Sequence, residues 1–261
     1  MAGTNRKLAA SKSGAGAAAE NTPAIILIEP QLGENIGMVA RAMLNCGLTD
    51  LRLVRPRDGW PNSRATSTAS GADMVLKNAK IYETTEAAIG DLNLVYAATA
   101  RDRDITKEVV TPAQAATEFR RSGSTICGIL FGGEAMGLNN DDIALTNKIV
   151  MVPLNPGFTS LNLSQAVLLL AYEWFKLADQ TPAAELRMKD SQLADKAELI
   201  GLFEHLESEL DARGFLRVKE KRPVMVQNIR NAFQRANMTE QEVRTFRGII
   251  KSLTTFPRTE D

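Results

Sequence analysis

The chain has 261 residues with 44% hydrophobic content, enough for one large domain or for a domain with an appendage. Its 31 basic and 31 acidic residues cancel, so net charge neither demands nor excludes a nucleic-acid partner, and any basic surface must come from local segregation. The two cysteines, Cys46 and Cys127, lack CxxC spacing, which speaks against a disulfide scaffold or a zinc site; with no apolar run near the roughly 20 residues of a membrane span and no secretory core at the start, a cytoplasmic protein is expected.

Residues 1 to 22 carry Ala, Ser, Gly and the cations Arg6, Lys7 and Lys12 without apolar periodicity, so burial cannot offset their ordering entropy and a disordered tail is expected. A short organelle transit peptide fits this composition less well. From Ala24 the pattern changes to short aliphatic runs separated by helical stretches, as a parallel α/β sheet requires. AIILIE (24 to 29), LRLV (51 to 54), AKIY (79 to 82), LNLVYAA (92 to 98), TICGILF (125 to 131) and KIVMVP (148 to 153) are predicted strands. Most lack polar alternation, which implies that both sheet faces are covered. NIGMVARAMLNCG (35 to 47) is a predicted helix that ends on Gly47. LNLSQAVLLLAYEWFKLA (161 to 178) is apolar on most sides. It is expected to be buried in the core or in a subunit interface, and its aromatic residues Tyr172, Trp174 and Phe175 favour the interface.

A polar link from Asp179 to Asp190, containing Pro182, separates a domain of residues 23 to 178 from a helical extension of residues 191 to 261. Residues 191 to 212, 223 to 237 and 239 to 253 are predicted helices, the last opened by Thr239 and Glu242 at capping-box spacing. Between Glu185 and Asp211 three basic residues stand against eight acidic ones, whereas Arg213 to Arg258 holds eleven basic and three acidic. Such segregation suits a solvated helical surface or a phosphate-binding arm. His205, the single histidine, lies in the acidic helix and reads as structural.

Three loops carry the candidate chemistry. PQLGENIGMVARAM (30 to 43) joins the first strand to its helix and has neither GxGxxG nor Gly-Lys-Ser/Thr, so it is not a dinucleotide fingerprint or a P-loop. It places Asn35 at a helix start and Arg41 two turns in, at the sheet edge where ligands of open α/β folds bind. FGGEAMGLNNDD (131 to 142) runs from a strand into paired glycines and Glu134, a geometry that lets backbone approach a ligand and equally suits a tight turn. VPLNPGFTSLNLSQAV (152 to 167) crowds Thr159, Ser160 and Asn162 at a helix start, where one would suffice as N-cap. The surplus hydroxyls ask for a ligand.

In this order, NIGMVARAM, then FGGEAMGL, then MVPLNPGFTSLNLSQAV, the segments resemble the three signature motifs of the SPOUT superfamily of RNA methyltransferases, in its SpoU branch. Together with the TARDR stretch (99 to 103) and the helical extension, they are most similar to the TrmJ-type tRNA (cytidine/uridine) 2′-O-methyltransferases, strongly over residues 24 to 175 and loosely beyond. The resemblance implies an α/β parallel-sheet domain with a deep C-terminal trefoil knot, and a homodimer with its active site at the subunit interface. It implies S-adenosyl-L-methionine bound against Ala98, Thr99, Ala100, Gly132, Val152, Thr159, Ser160 and Leu161, with no metal. It also implies catalysis by Arg41 with Asn35, Glu134, Ser160 and Asn162 orienting cofactor and ribose, on a cytidine or uridine at position 32 of the anticodon loop of tRNA.

Guanidinium normally keeps its proton in proteins, so Arg41 is expected to clamp an RNA phosphate and stabilise developing alkoxide while phosphate, water or Ser160 relays the proton. The alternatives are a ribosomal RNA 2′-O-methyltransferase of the same branch, a non-catalytic RNA-binding module, and a small-molecule α/β enzyme whose C-terminal helices oligomerise it.

Overall fold

In the computed structural model, which describes residues 22–101, 105–184, 188 and 191–255, every residue of β1 (Ala24–Ile28) is buried. Alternate side chains enter different cores: Ile25 and Leu27 face one, and Ala24, Ile26 and Ile28 face the other. The same division runs through β2 (Leu51–Val54), β4 (Leu94–Ala98), β6 (Cys127–Gly132) and β7 (Lys148–Val150). Helices cover both faces, so these strands are largely apolar along their length, with Arg52 of β2 and Lys148 of β7 as the charged exceptions. Each fully buried Leu or Ile contributes about 1.5–3 kcal/mol to this arrangement.

With β3 (Lys80–Tyr82) and β5 (Val109–Val110) the sheet has seven parallel strands in the order β3-β2-β1-β6-β4-β7-β5. The chain moves outward from β1 to β3, then crosses to β4 on the far side of β6. This reversal opens a crevice at the carboxyl ends of the central strands, where α/β folds bind their ligands.

One face of the sheet is covered by α1 (Gly33–Asn45), α2 (Ser63–Ala69), α3 (Asp73–Lys77), α5 (Pro112–Arg121) and α7 (Leu163–Lys176), which contribute Ile36, Val39, Ala65, Val75, Phe119 and Leu170 to its core. The other carries Ala88 of α4 (Thr85–Ile89) and Ile143 of α6 (Asn140–Ala144). Gly37 is a packing device: a Cβ there would lie 2.1 Å from the Ala65 carbonyl oxygen, so only glycine lets α1 press this closely on α2. At the end of α1, Gly47 has φ 76°, the left-handed conformation expected of a residue that stops a helix.

Arg52 is a charge inside a buried strand, at 1% exposure. Its guanidinium donates to both carboxylates of Asp50 and Asp91 and to the Ala88 carbonyl at 2.7 Å, which satisfies it away from water. The Arg52 hydrogen bond holds the Asp91 carboxyl below its ordinary range, against the opposing effect of burial. A group with a depressed folded pKa stabilises above its unfolded value and loses that contribution as pH falls through the folded one. Asp91→Asn is therefore expected to lower Tm at neutral pH and to flatten the fall of Tm below about pH 4. Parallel Tm-versus-pH curves for variant and wild type would contradict this.

The chain divides into two units, up to Gln180 and from Thr181. In the second, α8 (Lys196–Ala212), α9 (Arg222–Arg235) and α10 (Glu240–Thr255) surround a small core of Leu199, Leu202, Phe203, Met238, Val243 and Ile250. The bidentate Arg230 to Glu207 pair, at 2.6 and 2.9 Å, joins α9 to α8. The expected N-terminal tail (except Thr22), part of the link, and Asp102 and Arg103 of the TARDR stretch lie outside the described residues.

Candidate active site

A cleft of about 680 Å3 opens at the carboxyl edge of β4, β6 and β7, within the ~300–1,000 Å3 of small-molecule sites. Its walls are the backbone after β4 (Ala98, Thr99, Ala100), Gly132 at the end of β6, Val152 after β7, and Thr159, Ser160 and Leu161 before α7. All eight residues expected around a cofactor thus share one cavity, with Asn35 and Glu134 beside them. Leu138, Leu154 and Leu170 line it as well. The motif reading passed over them because an apolar residue in a loop or helix looks like ordinary core.

Glycine determines the shape of this edge. The turn after β6 closes on itself through a Gly133 to Gly137 bridge, with the Gly137 amide donating to the Gly133 carbonyl at 2.8 Å. Gly137 has φ 68°, and Gly132 lies so near that its Cβ would sit 2.0 Å from the Gly137 carbonyl carbon.

Glu134 projects from this turn toward α1. Helix α1 begins after Leu32, which has no side-chain cap of its own. Glu134 fixes the approach to this end from about 100 residues away in the chain: its carboxylate accepts from the amides of Gln31 at 2.8 Å and Leu32 at 3.3 Å, just before the helix, and from Asn35 Nδ2 at 2.6 Å. A negative charge at this end also favours the helix dipole. Asn35 is 3% exposed, and its Oδ1 accepts from Asn162 Nδ2 at 3.0 Å. Asn162 Oδ1 in turn caps α7, accepting from the Ser164 amide at 2.9 Å in a capping box with Gln165. An acceptor-only carboxylate at one end sets the orientation of both amides. The chain Glu134, Asn35, Asn162 therefore ties the three motif loops into one frame around the cleft.

Replacing Glu134 by Gln leaves three donors facing a group that is itself half donor. The expected loss is about 1–2 kcal/mol of stability, the low end for charged hydrogen bonds because Glu134 is solvent-exposed, and weaker cofactor binding with it. Calorimetric melting and titration measure both, and wild-type values in both would show that the tie is idle.

The remaining predicted groups divide. Thr159 and Ser160 are exposed at the cleft, and their hydroxyls have no partner among the described residues. Asn162 alone provides the capping. Arg41 lies with Met38 and Asn45 on the narrow exposed stripe of α1 and is not among the cleft-lining residues. Its guanidinium has no partner among the described residues. No cluster of three His, Cys, Asp or Glu side chains stands ready for a metal among them.

Helix α7 departs from uniform burial. Leu163, Val167, Leu170, Ala171 and Trp174 enter the core, and Arg120 stacks on the Trp174 ring at 3.7 Å. Trp174 is thus a core residue, while Leu168, Leu169, Tyr172 and Phe175 stay at least 38% exposed. Cys46 and Cys127 are buried free thiols. Among the described residues no helix is long and apolar enough to cross a membrane.

The SpoU rRNA methylase family matches residues 23–172, and the C-terminal domain family of the tRNA methyltransferase TrmJ matches residues 197–261. The chain is 35% identical over 235 residues to the tRNA (cytidine/uridine-2′-O-)-methyltransferase TrmJ of Salmonella typhimurium, an alignment covering 88% of this chain and 95% of that protein. It is similar to the crystal structure of TrmJ from Z. mobilis, with TM-score 0.80 and 46% identity over 90% of this chain and 100% of that one. The SpoU methyltransferase AviRb from Streptomyces viridochromogenes, solved in complex with AdoMet, shares the fold with TM-score 0.51 and 16% identity over 62% of this chain and 59% of that one.

Proposed function

Because the chain belongs to the SpoU methylase family, we propose that it is an S-adenosylmethionine-dependent methyltransferase acting on a ribose 2′-hydroxyl of tRNA. The observation that carries this reading is the single cleft shared by all three motif loops and framed by Glu134, Asn35 and Asn162. Similarity to TrmJ over both units selects tRNA over ribosomal RNA.

The cleft suits the cofactor: apolar Leu138, Val152, Leu154 and Leu161 match an adenine ring, while backbone groups and the unpartnered Thr159 and Ser160 hydroxyls match its polar edges. Bound there, S-adenosylmethionine supplies an electrophilic methyl group. The chain's own residues have to align the acceptor oxygen and manage its proton. Alignment in a closed site contributes up to about 7–11 kcal/mol. Arg41 holds an RNA phosphate through its planar fork and stabilises charge on the attacking oxygen, while the 2′-hydroxyl proton passes, through Ser160, phosphate or water, to bulk solvent as the methyl group replaces it.

The assembly is a homodimer with its active site at the interface. The exposed apolar face of α7 supports this, as does the absence of Arg41 from the lining of the single-chain cleft. The trefoil knot belongs to the same reading: residues 151–162 leave β7, next to the edge strand β5, and carry α7 back against α1 and α5. The compartment is the cytoplasm, whose reducing conditions suit the two free thiols. The target is a pyrimidine at position 32.

Radiolabelled adenosylmethionine incubated separately with total tRNA and with ribosomal RNA tests the substrate. Label is expected in tRNA, and label in ribosomal RNA alone would overturn that choice while keeping the chemistry.

A further inference from the structure

We infer that the loop between α8 and α9 is a second RNA-contact site, in which Phe215 stacks on an unpaired base while Arg217, Lys219 and Lys221 hold the flanking phosphates. This rests on the tRNA reading and adds to it a place on the second unit that recognises non-helical RNA.

The loop is built to hold its shape. Helix α8 ends in a Schellman motif: Gly214 has φ 73°, its amide donates to the Asp211 carbonyl at 3.0 Å, and the Phe215 amide donates to the Leu210 carbonyl at 3.0 Å. At the loop's base Arg222 grips the Asp211 carboxylate in two hydrogen bonds, at 2.6 and 3.2 Å, which holds the Asp211 carboxyl below its ordinary range. Leu216, 2% exposed, anchors the loop's middle.

Against that rigid base, the neighbours of Leu216 face solvent. Phe215 is 57% exposed, although the residue at its position in such a motif usually packs back on the helix. Arg217, Lys219 and Lys221 are all exposed and have no ion-pair partner among the described residues. Of the other cations of this unit, Arg213 is committed to the Thr254 carbonyl, Arg222 to Asp211, Arg230 to Glu207 and Arg244 to Glu240, while Arg235, Arg247 and Lys251 are exposed on the helices, outside this loop. A flat hydrophobic ring among three uncommitted cations matches a base with its phosphates, because every base offers a π-face and every linkage a negative charge. A duplex would bury its base faces and leave Phe215 without a partner.

The test is binding of tRNA to the full-length protein across a salt series, with methyl-transfer kinetics measured in parallel. Phe215→Ala is expected to weaken tRNA binding about tenfold, within the ~1–3 kcal/mol per stacked base, with the loss seen in KM for tRNA. Phe215→Trp should restore binding, which a purely structural role for Phe215 would not allow. The triple variant Arg217→Ala, Lys219→Ala, Lys221→Ala should reduce the slope of log affinity against log salt by about 2 to 3, from three lost phosphates at ~0.7–0.9 each. Wild-type affinity and salt slope in both the Phe215→Ala and the triple variant would overturn the inference. Loop-dependent tRNA binding without methyl transfer by the wild type would instead overturn the proposed activity and leave this contact standing.

Discussion

Arg41→Ala is expected to slow methyl transfer to tRNA by about 100- to 1,000-fold, the range for removing one preorganised group that stabilises developing charge. Cofactor affinity should be unchanged, because Arg41 does not line the cleft. Stability should barely move, since Arg41 is exposed and has no partner among the described residues. Surface substitutions of that kind usually stay within ~0.5 kcal/mol. Arg41→Lys separates two roles: the charge persists while the planar fork is lost. An intermediate rate is expected, whereas near-complete retention would rule out a bidentate clamp. Single-turnover rates with equilibrium cofactor titration make both comparisons.

The second large effect belongs to a residue with no side chain. Gly132→Ala places a Cβ 2.0 Å from the Gly137 carbonyl carbon and 2.1 Å from the Leu138 nitrogen, and both obstacles are backbone. No rotamer change relieves them, so β6 and the Gly133 to Gly137 turn must separate. Overpacking ordinarily costs about 1–3 kcal/mol, and the rigid obstacle puts this case at the upper end or above. Because the displaced turn carries Glu134, the tie to Asn35 and Asn162 is lost along with the cleft wall, and cofactor binding should fall at least 100-fold, as ~3 kcal/mol implies. Gly157→Ala is the control: the nearest atom to its Cβ is Asn155 Oδ1 at 3.5 Å, so a near-wild-type Tm is expected there. Calorimetric titration showing wild-type affinity in Gly132→Ala would contradict the close-packed turn.

What could be read along the chain depended on how local the physics was. The aliphatic run of β1 and the helical spacing of α1 announce themselves, because burial on two faces or one leaves its period in neighbouring residues. The two-residue strand β5 and the helices α2, α3, α4 and α6, of five to seven residues, are too short to leave such a period. Arg52 reads as an oddity in LRLV until the fold brings up Asp91, 39 residues on.

The candidate site divides in the same way. The wall of the cleft was legible as motifs, since each loop carries its own glycines and hydroxyls. Its frame was not. Glu134 and Asn35 suggested direct work on cofactor and ribose, and the fold also engages both in hydrogen bonds across 99 and 127 residues of chain. No local pattern records a bond of that kind. Likewise, the apolar helix α7 showed that something must cover it, while only packing could show that Trp174 faces inward and Tyr172 outward.

The central claim is the atom that receives the methyl group. It is tested most directly by digesting tRNA methylated by the wild-type protein to nucleosides and identifying the labelled one by mass spectrometry. A pyrimidine nucleoside carrying about 14 added mass units on its ribose is the expected result, the net gain of one CH2 when a hydroxyl proton is replaced by methyl in the transfer step. Label on a base, or none in tRNA under conditions where the cofactor binds, would contradict it.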